Sequence, residues 1–199
     1  MQRTFETEVL GQLTKEQFDR FKHSIEKKLG PPKQVKRLSM QITDYAKRNL
    51  DTRIRITNGA AEIMQKVGDW DAKTREEISV QLLSIPDEIY GHWQILDHML
   101  DAPAVQKRII QMDSYLFITP RYEIKLTHQS GVSDVYNFEV ESFQRNVDPI
   151  EVCNEFELKP DLEPKSAEYW EEFNEQVNLN ARKMKDEEIL QTISFYCEK

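Results

Sequence analysis

The sequence predicts an α+β fold in which amphipathic helices cover an antiparallel sheet. Strand-length segments in which charged and apolar residues alternate recur through residues 4–143, a pattern typical of strands with one polar and one apolar face. Two segments with apolar residues at helical spacing can cover the apolar faces. The alternation fits an open sheet with its charged face in water, or a closed barrel with that face inside.

The first predicted strand covers residues 4–13, in which Glu6 and Glu8 share one face. A helix begins after Thr14, which can form a capping box with Gln17, and a Gly-Pro-Pro sequence at residues 30–32 ends it. The apolar stripe of this helix consists of Phe18, Phe21, Ile25 and Leu29.

Further strands are predicted on both sides of a second helix, which begins near Ser84. Asn58-Gly59 indicates a hairpin between two of these strands, although residues 60–66 could instead form a short helix. The apolar stripe of the second helix consists of Ile89, Trp93, Leu96 and Leu100. The predicted strands cover residues 35–45, 50–57, 62–67, 75–82, 105–112, 115–127 and 133–143.

The last part of the chain is predicted to be a tail. Residues 148–164 are punctuated by prolines, and residues 166–196 are predicted as a charged helix. We therefore expect a main domain at residues 1–147 and a connector with a helical tail at residues 148–199. The tail either packs on the outside of the main domain or recruits a protein partner or a second copy of the chain. The residues of its apolar edge are Trp170, Phe173 and Val177.

Composition excludes several classes of protein. The 199 residues are 39% hydrophobic and 31% charged with a mean hydropathy of −0.68, so we expect a packed core and no membrane-spanning helix. The first residues lack the apolar region of a signal peptide, and Cys153 and Cys197 are too few for a disulfide framework or a four-cysteine zinc site. We expect a cytoplasmic protein, with a nuclear or viral context left open. The net charge of −8 argues against broad non-specific binding of nucleic acid.

Ionic residues are concentrated on single faces of five predicted strands. Carboxylates from neighbouring strands form an oxygen-rich site suited to Mg²⁺ or Mn²⁺. Arginine and lysine bind phosphate oxygens, and arginine can do so with two hydrogen bonds at once. A polyphosphate bound to a divalent metal ion is the ligand that satisfies both sets of charges.

Five ionic motifs occur in a fixed order along residues 4–143. They are Glu6-Thr7-Glu8, Arg53-Ile54-Arg55, Lys66, Arg75-Glu76-Glu77 and Glu139-Val140-Glu141. In their type and order they resemble the CYTH, or triphosphate tunnel metalloenzyme, superfamily. The resemblance implies an α+β fold with a closed antiparallel β-barrel of about eight strands, a tunnel, and helices packed outside it.

The resemblance also implies a role for each motif. The implied metal ligands are Glu6, Glu8, Glu139 and Glu141, and the implied phosphate ligands are Arg53, Arg55, Lys66, Arg75, Arg121 and Lys125. Glu8 and Glu77 are assigned to catalysis, in which Glu77 holds a second metal ion or orients the attacking water. Parts of the chain are similar to the RNA triphosphatases of mRNA capping, and other parts are similar to the adenylyl cyclase and thiamine triphosphatase branches.

The function that these roles imply is that of a phosphoanhydride hydrolase, a triphosphatase that uses Mg²⁺ or Mn²⁺ to remove the terminal phosphate of its substrate. The substrate is an RNA 5′ end, a nucleoside triphosphate, thiamine triphosphate or inorganic triphosphate. One alternative is a class IV-type adenylyl cyclase with the same residues. The other is a module that binds polyphosphate or nucleotide without turnover, which Leu10 favours because the superfamily commonly has a basic residue at that position.

Overall fold

The computed structural model describes residues 7–44, 50–67, 76–144, 146–163 and 166–198. Within these ranges it contains nine strands, five α-helices and one 3₁₀-helix at Ala181–Lys183. The strands are β1 (Thr7–Leu13), β2 (Lys33–Asp44), β3 (Leu50–Thr57), β4 (Ala60–Val67), β5 (Glu76–Leu82), β6 (Val105–Ile118), β7 (Tyr122–Ser130), β8 (Val135–Ser142) and β9 (Leu179–Asn180). The helices are α1 (Lys15–Leu29), α2 (Pro86–Met99), α3 (Pro149–Glu155), α4 (Ala167–Val177) and α5 (Asp186–Cys197).

The strands form one antiparallel sheet in the order β1-β8-β7-β6-β2-β3-β4-β5, and β9 pairs with β6. The α+β class is as predicted, but the predicted closed barrel is wrong. The sheet is not closed, since no pairing within the described ranges joins β1 at one end of the order to β5 at the other. The physical reason is that alternation within a strand determines its two faces, whereas closure depends on pairing between the first and last strands. No helix in these ranges is long and apolar enough to cross a membrane.

Two predicted boundaries are misplaced. The strands expected at residues 105–112 and 115–127 are instead β6 and β7, which a turn at Thr119 separates. Thr119 closes this turn, because its backbone N–H donates to the Tyr122 carbonyl at 2.9 Å and its hydroxyl accepts from the Tyr122 N–H at 3.0 Å. The helix expected at residues 166–196 is divided into α4 and α5 by β9 and the 3₁₀-helix.

The chain divides into two compact units, each assembled from separate segments of sequence. Unit 1 contains Met1–Val35, Met112–Gln129 and Asp134–Lys165, and unit 2 contains Lys36–Gln111, Ser130–Ser133 and Ser166–Lys199. Each unit has its own cluster of buried apolar residues.

In unit 1, α1 and α3 pack against β1 and β8. The predicted capping box at the start of α1 is present: the Thr14 hydroxyl accepts from the Gln17 N–H at 3.2 Å, and Gln17 Oε1 accepts from the Thr14 N–H at 2.8 Å. Phe18, Phe21 and Ile25 of the predicted apolar stripe of α1 are buried, and Leu29 is partly buried against the same core. The core of unit 1 includes Phe18, Phe21, Ile25, Ile124, Leu126, Phe138 and Val140. Because these strand residues alternate with ionic ones, their burial leaves the ionic residues on the other face.

In unit 2, α2 and α5 pack against each other, and α5 packs against β3. Asn58 and Gly59 have φ angles of 47° and 81°, as the predicted hairpin turn requires, and residues 60–66 therefore form a strand and not a helix. The tail contributes Ile193 and Tyr196 of α5 to this core, positions that the apolar edge predicted for the tail does not include. The core of unit 2 includes Leu38, Met40, Ile42, Ile54, Ile56, Ile89, Trp93, Ile189, Ile193 and Tyr196.

Candidate functional site

One face of unit 1 carries three glutamates in register on neighbouring strands. β8 pairs with β1 on one side and with β7 on the other, and Glu141 lies directly across from both Glu8 and Glu123. Residues placed in this way in an antiparallel sheet have Cβ atoms about 5 Å apart. We refer to Glu8, Glu141 and Glu123 as the carboxylate row. The first two are predicted metal ligands, whereas Glu123 was not predicted as a site residue.

Beside the carboxylate row lies a mixed row centred on Glu139. This residue is directly across from Leu10 on β1 and from Lys125 on β7. Lys125 Nζ is 2.7 Å from Glu139 Oε2, and both side chains are partly exposed. Because Leu10 has no charge, the positive charge in this row comes from Lys125.

The donor set of this face fits a hard divalent cation, because carboxylate oxygens are the ligands that Mg²⁺ and Mn²⁺ prefer. In the part of the chain that the structure describes, however, no three Asp, Glu, His or Cys side chains are gathered closely enough to hold a metal ion. Glu8, Glu123 and Glu141 each have other interactions. Metal binding would therefore require them to converge. Glu6, the remaining predicted ligand, lies outside the described residues.

The polar face of unit 2 holds Arg53 in a fixed orientation. Its Nε and Nη2 donate to the two carboxylate oxygens of Asp51 at 2.7 and 2.9 Å, and Gln41 Nε2 donates to the same carboxylate at 3.1 Å. Asp51 is only 1% exposed. Two parallel hydrogen bonds fix the plane of the guanidinium group. Asp51 was not predicted as a site residue, although it lies two positions before Arg53 and therefore on the same face.

Arg55 lies on the same face and is held by carboxylates from two further strands. Its Nε donates to Glu62 at 2.8 Å, and its Nη2 donates to Glu77 at 3.2 Å. Glu77 is directly across from Lys66, so these predicted residues share one face, which we refer to as the arginine face. Arg75 lies outside the described residues.

Three polar residues of β2 also belong to the arginine face and were not predicted as site residues. They alternate with core residues, and all three are buried. Ser39, Gln41 and Thr43 lie directly across from Arg55, Arg53 and Asp51, respectively. Their alternation with apolar residues can be seen in the sequence, but uncharged residues indicate a binding site less clearly than the ionic motifs do.

Arg108 of β6 is a further cation on this face. Its neighbour Ile109 belongs to the core of unit 2, so alternation directs Arg108 to the opposite, polar side. Arg108 Nη2 is 3.5 Å from Glu175 Oε1, and Gln106 Nε2 donates to Glu171 Oε1 at 2.7 Å. The carboxylates of α4, a helix with four glutamates and no basic residue, are therefore in contact with this strand.

Arg121 is an exposed predicted ligand at the start of β7 in unit 1. It follows the turn at Thr119, whose hydroxyl accepts from the Arg121 backbone N–H at 3.2 Å. It lies one position before the first residue of β7, so the alternation within that strand does not determine the face of its side chain.

No protein-family model and no curated protein sequence matched the chain. Solved structures match it in fold. A Bacillus halodurans protein described as a "putative adenylate cyclase" aligns with 84% of this chain and 96% of its own chain, at 13% sequence identity and a TM-score of 0.59. The PH1819 protein of Pyrococcus horikoshii aligns with 86% of this chain and 99% of its own, at 18% identity and a TM-score of 0.56. At such identities the likeness establishes a shared fold, which extends over nearly the whole length of the matched chains.

Proposed function

We propose that this protein is a metal-dependent triphosphatase of the CYTH superfamily. The observation that carries the proposal is the register of the carboxylate row. Glu8 and Glu141 belong to motifs at distant points of the sequence, and they lie directly across from each other. Fold similarity to a protein described as an adenylate cyclase supports the superfamily, because that activity also acts on a triphosphate group.

The face of unit 1 that carries the carboxylate row is proposed to bind the metal ion through Glu8, Glu139 and Glu141. A divalent cation held there would neutralise charge on a phosphate group bound to it. Glu139 is in contact with Lys125, whose ammonium group can move to a phosphate oxygen when the carboxylate turns to the metal. Lys125 thus supplies a cation in the row that contains Leu10, two strands away from the position at which the motif lacks one.

The arginine face of unit 2 is proposed to bind the phosphate chain. Phosphoryl transfer depends mainly on positioning and on stabilising charge, which suits arginines that are already oriented. Asp51 occupies two of the five N–H groups of Arg53, which leaves the others for phosphate oxygens. Glu77 contacts Arg55 through one oxygen and is partly exposed, so its second oxygen can orient an attacking water.

An adenylyl cyclase is the second candidate, favoured by the description of the Bacillus halodurans protein that has the same fold. It would use the same metal and phosphate ligands, with a ribose hydroxyl in place of water as the nucleophile. The two reactions differ in products. The hydrolase releases inorganic phosphate, whereas the cyclase releases pyrophosphate and a cyclic nucleotide.

The decisive experiment measures both products in one panel. The full-length protein is incubated with Mg²⁺ or Mn²⁺ and, in turn, inorganic triphosphate, ATP, GTP, thiamine triphosphate and RNA with a 5′-triphosphate. We expect inorganic phosphate from at least one substrate, abolished by chelation of the metal. Release of cyclic nucleotide and pyrophosphate would favour the cyclase, and no product from any substrate would refute both.

The role of the carboxylate row is tested with Glu141→Gln. We expect at least a hundredfold loss of turnover with little change in stability, because a metal ligand is lost while the side-chain volume is kept. Glu151→Gln is the matched control, since Glu151 is an exposed glutamate of α3 in the same unit. Normal turnover in Glu141→Gln would contradict the metal assignment.

A further inference from the structure

Two hydroxyl groups on the arginine face are buried without a hydrogen-bond partner. In the part of the chain that the structure describes, Ser39 Oγ and Thr43 Oγ1 are the buried side-chain oxygen or nitrogen atoms that lack one. Ser39 is 1% exposed and Thr43 is 0% exposed. Buried polar groups in folded proteins are nearly always hydrogen-bonded, so each such exception calls for a physical explanation.

The position of these hydroxyls indicates the chemistry of what they lack. Ser39 lies directly across from Arg55, and Thr43 lies directly across from Asp51, the residue that orients Arg53. A guanidinium group has only donors, and a hydroxyl can also donate. An anionic oxygen can therefore accept hydrogen bonds from the arginines and from these hydroxyls together.

We propose that Ser39 and Thr43 are substrate-binding residues whose hydroxyls donate to non-bridging oxygens of a phosphate chain, which binds once the side chains that cover them in the free protein move aside. This inference rests on the proposed function, from which it takes the ligand class. Residues four positions apart on a strand are separated by about 13 Å, so one phosphate ion cannot reach both hydroxyls. A chain of phosphates extended along β2 is the form of the proposed ligand that spans both positions.

Three variants separate this role from core packing. Ser39→Ala and Thr43→Val remove one hydroxyl each, and Thr43→Ser keeps the hydroxyl at the second position. Thr52→Val is the matched control, because Thr52 is a buried threonine of β3 directly across from the core residue Ile42. Each protein is studied by urea unfolding without ligand and by calorimetric titration with a non-hydrolysable triphosphate and Mg²⁺, with orthophosphate as the short probe.

We expect the two hydroxyl-removing variants to bind triphosphate about tenfold more weakly than the wild type. Without ligand they should be as stable as the wild type or more stable, because a buried polar atom with no partner has been removed. Thr43→Ser and Thr52→Val should retain wild-type affinity. Orthophosphate should bind far more weakly than triphosphate.

The experiment distinguishes a failure of this inference from a failure of the proposed function. If the wild type binds triphosphate and both Ser39→Ala and Thr43→Val bind it within twofold of wild type, the inference is overturned while the proposed function stands. Loss of stability in both variants without ligand would overturn it as well, because the hydroxyls would then have partners in the free protein. If the wild type binds no triphosphate at all, the proposed function and the inference both fall.

Discussion

Asp51 is expected to determine how well Arg53 binds phosphate, although its own carboxylate is negatively charged and is repelled by an anion. The informative change is Asp51→Asn, which keeps the shape of the side chain and removes its charge. The amide retains one acceptor oxygen, so one of the two hydrogen bonds from Arg53 is lost and the other is weakened. The guanidinium group should then become mobile.

The expected loss of stability follows from the contacts of this carboxylate. Removing one partner of a buried ion pair costs about 3–5 kcal/mol, whereas an exposed pair contributes up to about 1 kcal/mol. Asp51 is fully buried, but the Arg53 side chain is 24% exposed and can be partly solvated. We therefore expect Asp51→Asn to lower the free energy of unfolding by about 2 kcal/mol, or the Tm by about 4–8 °C.

A double-mutant cycle isolates this pair. Urea unfolding is measured for the wild type, Asp51→Asn, Arg53→Met and the double variant, and triphosphate affinity is measured for the first two. The loss of stability in the double variant should be smaller than the sum of the two single losses by about 1–2 kcal/mol. Asp134→Asn, at an exposed carboxylate that contacts His128, is a control expected to change stability little.

The reasoning would be refuted by additive losses within about 0.5 kcal/mol, which would mean that the two residues do not interact. It would be refuted equally by an Asp51→Asn protein that binds triphosphate as tightly as the wild type. In that case the orientation of Arg53 by Asp51 would have no part in binding.

Three further predictions concern the tail, the acidic helix and pH. Ile193→Ala should lower the free energy of unfolding by about 3 kcal/mol, measured by urea unfolding, because Ile193 is fully buried in the core of unit 2. Glu175→Gln should raise triphosphate affinity severalfold in calorimetry with little change in stability, because it removes an exposed negative charge beside Arg108. The Lys107 ammonium group, which donates to Asp101, lowers the pKa of that carboxyl. A carboxyl whose pKa is lowered in the folded state stabilises the fold at pH values above the ordinary aspartate pKa. The melting temperature of the wild type should therefore fall as the pH drops below about 4. The melting temperature of Asp101→Asn should fall less over the same pH range.

Each of these has a result that would count against it. A loss under about 1 kcal/mol in Ile193→Ala would favour a tail that acts as an interaction arm. Unchanged or weaker triphosphate binding in Glu175→Gln would mean that α4 does not compete for the cation. An Asp101→Asn protein with the same acid dependence as wild type would assign that dependence to other carboxyls.

The residues that share one face of a strand were predictable, because side chains in a strand alternate between its two faces with a period of two. Glu139 and Glu141 alternate with buried Phe138 and Val140, and this pattern correctly predicted which residues share a face. The hairpin at Asn58 was predictable for the same kind of reason, since few residues tolerate the required φ angle. Local chemistry therefore accounts for the faces on which the candidate site is built.

What could not be predicted depends on partners distant in sequence. Ser39 is a site candidate only because the register of β2 and β3 sets it across from Arg55. Arg108 was missed because adjacent basic residues give no indication of which one faces the core, and the chain buries Lys107 on the other face. Whether the sheet closes is likewise a property of strand pairing and not of any single strand.

Each unit is assembled from separate segments of sequence, and this affects the order in which parts of the chain can fold during synthesis. β1 leaves the ribosome well before its pairing partner β8, because β2 to β7 lie between them in the sequence. Until β8 has been made, the apolar face of β1, which includes Val9 and Leu13, lacks that neighbour. Pairings between such distant segments form slowly because long loops must be closed first. The carboxylate row can therefore form only after β2 to β5 have been synthesised, so the proposed metal ligands come together later than the proposed phosphate ligands are made.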